Sequence, residues 1–329
     1  MCRSRAPWAW SGPLRDAALL AAHELNVAGG ADGRPVELIL VDGGAEPHVV
    51  AREVADLCAA GAVDVLTGFH TSDVHRAIEP LVAGRTPYVF TPPHEGGRRR
   101  PGVICIGTDP VQQLRTAIDW LVVHHHVRRW ALIGNDYIWP QAMHRAAKPL
   151  IAGAAARVVL EQTVGLGEVS SMVGRLMDQL RRSRADAVLL SLVGRELVTF
   201  NAALRHAGLD HRLVRLSGSL EENGLLALGG DQTGTMYASM QSFASLQNDR
   251  RLGLAERYES LFGPEAPVLD AYAEGVYDGV HLVAALAADG TLAPDRLAGA
   301  AARLMADPAG DGVHLARAEG LDFAVVSPR

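Results

Sequence analysis

Apolar positions along the chain change period again and again, and that alternation is the first thing the sequence offers. Residues 14–28 (LRDAALLAAHELNVA) repeat apolar side chains at helical spacing and stop at Gly29-Gly30. Residues 36–41 (VELILV) form a short, nearly continuous apolar run, the pattern of a buried strand. A helix is predicted over 47–60, a strand over 63–67, a helix over 72–84 and strands over 87–90 and 103–106. The scheme then restarts. Helix 111–125 leads to strand 130–133, helix 140–153 to strand 157–161, helix 169–183 to strand 186–191, and helix 196–207 to strand 213–216. Strands that alternate with helices pair in parallel through right-handed crossovers. Two such series in one chain predict an α/β protein of two doubly wound parallel-sheet lobes. The tail departs from the scheme: a strand over 235–240, helices over 245–262, 270–288 and 293–306, then short strands over 313–316 and 321–326.

Length agrees with two domains, since 329 residues is about twice the common domain size. Composition excludes more than it selects. The charged fraction is 21% and the net charge −6, with acids and bases interspersed, so nothing points to direct nucleic-acid binding or to an anionic membrane. The compact basic run Arg98-Arg99-Arg100 lies among Gly and Pro and reads as a solvated loop. No stretch of 18 apolar residues occurs, so no membrane-spanning helix is expected. The opening MCRSRAPWAW carries basic residues without an apolar core and does not read as a secretory signal; as written, the chain reads as cytoplasmic. Cys2, Cys58 and Cys105 have no metal-ligand spacing and read as free thiols.

The α/β pattern invites a nucleotide site, but the sequence does not supply one. Gly165-Leu166-Gly167 begins a dinucleotide fingerprint, but Ser170 stands where the third Gly belongs, and neither a Walker sequence nor a G-x-S-x-G elbow occurs. His124-His125-His126 invites a metal reading, yet adjacent helical residues do not share a face, and a helix C-terminus favours cationic His by its dipole. Neither a metal nor a cofactor is expected. The strand ends are more informative, because open α/β sheets bind ligands beyond the carboxyl ends of their strands. Gly68-Phe69-His70-Thr71-Ser72 follows the strand at 63–67, and Phe90-Thr91-Pro92-Pro93 follows the one at 87–90. Gly134-Asn135-Asp136-Tyr137-Ile138-Trp139-Pro140, Leu192-Val193-Gly194 and Ser217-Gly218-Ser219-Leu220-Glu221-Glu222 follow strands of the second series. Aromatic walls with a few fixed polar groups are what a small-molecule site requires. Ser72 also reads as a simple helix N-cap, and Glu221 or Glu222 as a helix N-terminal acid.

These stretches resemble the type I periplasmic binding proteins, in the branch of amide, urea and branched-chain amino acid receptors. The likeness runs through ALLAAHELNVAGGADGRPVELILVDGG, GFHTSDVHRAIEPLV, PPHEGGRRRPGVICIGTDPVQQ, GNDYIWP, YAEGVYDGVHLVAAL and DPAGDGVHLAR, from about residue 13 to 326. The resemblance implies a three-crossing hinge near Asp109-Pro110, Met240 and Pro308, with lobe 1 over 1–109 plus 240–307 and lobe 2 over 110–239 plus 308–329. It implies non-enzymatic binding of a small polar solute (a short amide, urea or an amino acid) between the lobes. Carried over by position, His70, Ser72, Phe90 and Pro92 contact ligand from lobe 1, and Tyr137, Trp139, Val193 and Glu221 from lobe 2. Amide-sensing relatives carry Tyr, Tyr and Thr where this chain has His70, Phe90 and Pro92, so a different ligand set is expected. The implied partner is an ABC permease. The alternative is a cytoplasmic sensor that controls an amidase-type operon through a regulatory protein, and a second copy of the chain is also a candidate partner. An enzyme on the same fold would need a nucleophile and base or a cofactor loop, and the sequence offers no convincing set. Relatives begin with a strand ahead of the first helix, so a truncated start is expected, and if the start is truncated the expected location changes from the cytoplasm to the periplasm or cell surface.

Overall fold

The computed structural model describes residues 11–305 and 312–326. They divide into two compact units. Unit 1 runs to Thr108 and resumes at Gln247; unit 2 takes Asp109–Leu246 and resumes at Gly312. The sequence reading drew these divisions at 109–110, near 240 and near 308. Pro308 lies outside the described residues, as do Cys2 and the opening MCRSRAPWAW.

Unit 1 is built on three parallel strands, β1 (Leu66–Gly68), β2 (Tyr88–Phe90) and β3 (Val103–Cys105), in that order. Side chains alternate across a strand, and β2 shows the consequence. Tyr88 and Phe90 face a core formed with α2 (Pro47–Ala59) and α3 (Ser72–Val82), among Val50, Val54, Val74, Ile78 and Val103. Val89 faces the opposite side, against Leu282 and Leu286 of α10 (Ala271–Ala288) and Leu297 and Ala300 of α11 (Leu297–Leu304). Asp270 caps α10 by accepting from the Tyr272 and Ala273 amides. Gly279 lets this helix lie close to the sheet, since a Cβ there would fall 2.6 Å from Thr91 Cγ2. The first helix, α1 (Ser11–Val27), packs on α10 and on α9 (Asp249–Phe262).

The predicted strand at 36–41 does not form. The segment takes no regular secondary structure and pairs with no strand among the described residues. The Asn26 side chain holds Val36 at both its backbone N–H and its C=O. Val41 reaches the core, while Ile39 and Leu40 stay 48% and 46% exposed. The reason is physical: an apolar run sets a preference for burial, but a strand requires a neighbour for its ladder. Among the described residues β1 pairs on one side only, and the 36–41 segment forms no ladder with it. At the start of both segments Arg34 meets Asp64 at 3.3 Å.

Unit 2 carries seven strands: β4 (Arg129–Asn135), β5 (Arg157–Val164), β6 (Ala187–Ser191), β7 (Val214–Ser217), β8 (Met236–Met240), β9 (His314–Glu319) and β10 (Asp322–Val325). Their order is β10-β9-β8-β7-β6-β4-β5. The strands from β5 to β8 are parallel, and the last two add an antiparallel edge that brings the chain end back to this unit. Asp109 opens α4 (Pro110–His124) with a capping box shared with Gln112, and Pro110 sits in the first turn, where its missing N–H costs nothing. Leu114, Ile118 and Leu121 of α4 pack with Met143, Ala147 and Ile151 of α5 (Ile138–Gly153) on Trp130, Leu132, Leu189 and Leu216. The strand residues between these are also fully buried and by alternation face the opposite side. Leu176 and Leu180 of α6 (Val169–Ser183) and Leu197, Phe200 and Leu204 of α7 (Arg195–His206) are buried as well. A short helix absent from the sequence reading, α8 (Glu222–Ala227), precedes β8.

Candidate functional site

The eight expected ligand contacts divide between the units, four in each, and all lie at or just beyond carboxyl ends of strands. In unit 1, His70 and Ser72 follow β1, and Ser72 is the first residue of α3. Ser72 is buried, and its hydroxyl oxygen lies near the Glu95 carboxylate but has no hydrogen-bond partner among the described residues. The free N–H groups of the first helical turn make this end of α3 a natural seat for an oxygen acceptor. His70 stands on its edge against Phe90, with ring centroids 5.0 Å apart. Phe90 is fully buried and stacks on His75 at 4.2 Å, so it supports the site from the core rather than walling it. Pro92 is buried too, and its carbonyl oxygen would lie 2.1 Å from a Cβ added at Gly107. Only glycine at 107 lets the two loops touch.

Beneath these residues lies a polar network that the sequence did not disclose. Tyr88 Oη lies 2.5 Å from His70 Nε2 and 3.0 Å from His75 Nδ1. Burial drops the His70 imidazole to about 3 and that of His75 to about 2, and it raises the Tyr88 phenol well above its ordinary value. All three groups are therefore neutral at physiological pH. A phenol donates one hydrogen bond and accepts one, so one imidazole presents a bare nitrogen to Tyr88 and the other an N–H. Glu95 lies alongside, bonded by Arg76 Nε at 2.5 Å and Arg99 Nη1 at 2.8 Å. Burial works to raise its carboxyl, but its own backbone amide, Arg99, the Ser72 hydroxyl and Arg76 together hold it below the usual range. Arg99 also donates to Cys105 Sγ, whose thiol burial lifts to about 11. The basic run read as a solvated loop thus sends one arginine inward.

In unit 2 the sheet order reverses at β4: β5 lies on one side of it and β6 on the other. Loops leaving strands on either side of such a point diverge and open a crevice. Tyr137 and Trp139 follow β4, and Val193 follows β6. Asn135, fully buried at the end of β4, accepts from the Val193 backbone N–H at 3.0 Å and donates to the Glu196 carboxylate. Glu196 in turn accepts from the Gly167 and Val169 amides, and burial raises its carboxyl despite those bonds. Ser219 Oγ donates to the Leu192 carbonyl at 2.7 Å, joining the ends of β6 and β7. Tyr137, 9% exposed, and Trp139, at 5%, both belong to the unit's core cluster. Glu221 serves as the N-cap of α8, with Oε1 accepting from the Gly224 amide at 2.9 Å. Asn135, Glu196, His75, Tyr88 and Glu95 were missed as organising residues. Asn135 stood within the GNDYIWP stretch, and Glu196 in a first helical turn. The Tyr88 network spans separate elements and leaves no spacing in the sequence.

The three adjacent histidines go different ways. His124 Nδ1 contacts the Trp120 carbonyl and its ring stacks on the indole, while His125 Nε2 contacts Tyr237 Oη at 2.6 Å. Among the described residues no group of three His, Cys, Asp or Glu side chains is placed to hold a metal ion, and no helix is long and apolar enough to cross a membrane.

The sequence profile of the family described as periplasmic binding protein matches residues 6–312. Solved structures share the fold. A periplasmic binding protein from Burkholderia mallei is 16% identical with a TM-score of 0.82, covering 96% of this chain and 89% of its own. An ABC transporter solute binding protein from R. palustris, in complex with benzoate, is 16% identical with a TM-score of 0.77, over 96% and 91% of the two chains. The branched-chain amino acid transporter substrate binding protein LivJ from Streptococcus pneumoniae, in complex with isoleucine, is 16% identical with a TM-score of 0.76, over 96% and 94%. With its strand-end loops carried on parallel α/β sheets and this match along nearly its whole length, the chain belongs to the periplasmic binding protein family, type I.

Proposed function

We propose that this chain is the solute-binding component of an ABC-type importer, and that it holds a small polar solute between its two lobes without transforming it. The observation that carries the reading is the placing of aromatic and polar side chains at carboxyl strand ends in both units, at a reversal of strand order in unit 2. The start of α3 suits a carbonyl or carboxylate oxygen, with the Ser72 hydroxyl beside it. The neutral His70 adds a directional polar group, and Tyr137 an apolar flank. Those features favour a short amide, urea or an amino acid. The benzoate and isoleucine bound by two proteins of the same fold are likewise small and carry a planar oxygen group. Such a ligand would act by binding the closed arrangement of the lobes better than the open one.

Titration calorimetry with acetamide, urea, leucine and benzoate tests the reading. One of them should bind saturably, and Ser72→Ala and Tyr137→Ala should each weaken it by about tenfold, the loss of one good polar or packing contact. Melting of the unliganded variants controls for folding. Undiminished affinity in both variants would overturn the site, and a bound compound released chemically altered would overturn the binding role.

A further inference from the structure

The amino ends of the unit 2 strands, opposite the loops described above, border a cavity of about 660 Å³. Its lining comes from the residues just before the strands: His125, His126 and Arg129 at β4, Arg184 and Asp186 at β6, and His211 and Arg212 at β7. We propose that this cavity is a second binding site, for the phosphate groups of a small phosphorylated molecule.

Charge is the first reason. Three guanidinium groups share the cavity with one carboxylate, on a chain whose net charge is −6, and three imidazoles add uncharged polar nitrogens. That carboxylate is already committed: Asp186 accepts from Arg129 Nη2 at 2.6 Å and from the Arg128 and Arg129 backbone amides. Among the described residues the Arg184 and Arg212 side chains are engaged in no hydrogen bond or ion pair. A planar fork of N–H donors matches a phosphate's oxygens, and arginine presents that fork at fixed charge.

Backbone conformation is the second reason. Arg184 caps α6 at φ 52, and His126, just beyond α4, has φ 55. Both are left-handed positions that glycine fills most easily. Each instead carries a cationic or protonatable side chain that lines the cavity. Its volume falls within the range of small-molecule sites, which is about 300–1,000 Å³, so a compact metabolite fits better than an extended polymer.

Calorimetry with sodium pyrophosphate as the probe, at pH 7.5 and with ionic strength fixed by sodium chloride, tests the assignment. Saturable binding is expected. Arg184→Gln and Arg212→Gln should each weaken it, and the double variant by about tenfold or more, as for loss of charged hydrogen bonds. Both side chains are exposed, so the variants should keep the wild-type melting temperature, and Ser72→Ala should bind pyrophosphate unchanged. Heats no larger than the chloride baseline, or equal affinity in the double variant, would overturn the site. The solute reading would stand in either case, because its own ligands and variants are different.

Discussion

Tyr88 Oη and His70 Nε2 lie 2.5 Å apart, so a phenol on β2 fixes the orientation of an imidazole in the loop after β1. The same oxygen reaches His75, on the first turns of α3, at 3.0 Å. One hydroxyl thus couples a strand, a ligand-loop candidate and a helix within unit 1. Tyr88→Phe keeps the ring and removes that oxygen. Two ring nitrogens then lose a partner in a buried setting, which costs about 1–3 kcal/mol. Urea unfolding should show this loss, and if His70 contacts the solute its affinity should fall as well. A variant as stable as the parent would mean that water replaces the phenol.

Acid should weaken unit 1 through His75, which is fully buried. Burial, aided by His70, Arg99, Arg76 and His94, drops its imidazole from 6.5 to about 2. Between those values the unfolded chain binds a proton that the folded chain does not, so stability rises with pH across the window and levels off above 6.5. Falling pH therefore erodes stability from about 6.5 downward, by at most about 1.4 kcal/mol per unit for one imidazole. His75→Phe keeps a planar ring on Phe90 and should flatten part of that slope. Denaturant midpoints at pH 7, 6 and 5 for parent and variant measure the difference, and parallel slopes would remove His75 from the account.

Period and turn chemistry made the alternation of strands and helices legible, because each element carried its own signal. Leu189 and Leu190 in an unbroken apolar run announced a strand buried on both faces, and Asp109-Pro110 announced a helix start. The 36–41 run misled for the complementary reason: Ile39 and Leu40 have the side chains of a strand, but pairing depends on a neighbour that their own residues do not encode. The site was legible only as positions along loops. Phe90, Tyr137 and Trp139 read as ligand contacts and all lie in core packing, since an aromatic after a strand looks the same whether it turns inward or outward. The ties from Tyr88 to His70 and from Asn135 to Val193 join residues 18 and 58 positions apart, beyond the reach of any local pattern.

Glycines separate into those that space demands and those that it does not. A Cβ at Gly107 would fall 2.1 Å from the Pro92 carbonyl oxygen, a backbone atom that cannot swing aside. Gly107→Ala should therefore force the two loops apart and cost about 1–3 kcal/mol or more. Gly174 lies inside α6, where an added Cβ meets nothing within 4 Å. Gly174→Ala should stabilise unit 2 by about 0.5–1 kcal/mol, through helix propensity and a less flexible unfolded chain. Thermal melts of the two variants should move in opposite directions, and a common direction would contradict the steric account.

Arg215 and Asp231 form a buried ion pair in unit 2, with Nη2 and Oδ2 2.9 Å apart and both side chains at most 2% exposed. Arg215 also donates to Asn201, Thr233, Thr235 and the Asp210 carbonyl, so the charge sits in a shell of acceptors. Desolvation works against the guanidinium and lowers its affinity for a proton, with Asp231 opposing that shift. Asp231→Ala leaves a buried cation without its counter-ion and should destabilise the chain by about 3–5 kcal/mol. Replacing both partners, as Arg215→Met with Asp231→Leu, removes the charge together with its need for a partner. The double variant should then lose less than the single, although the Thr233 and Thr235 hydroxyls keep some cost. Guanidine unfolding of the single and double variants measures this coupling. Additive losses would show that the two side chains act independently and that the surrounding hydroxyl shell, not the ion pair, holds β7 to the turn before β8.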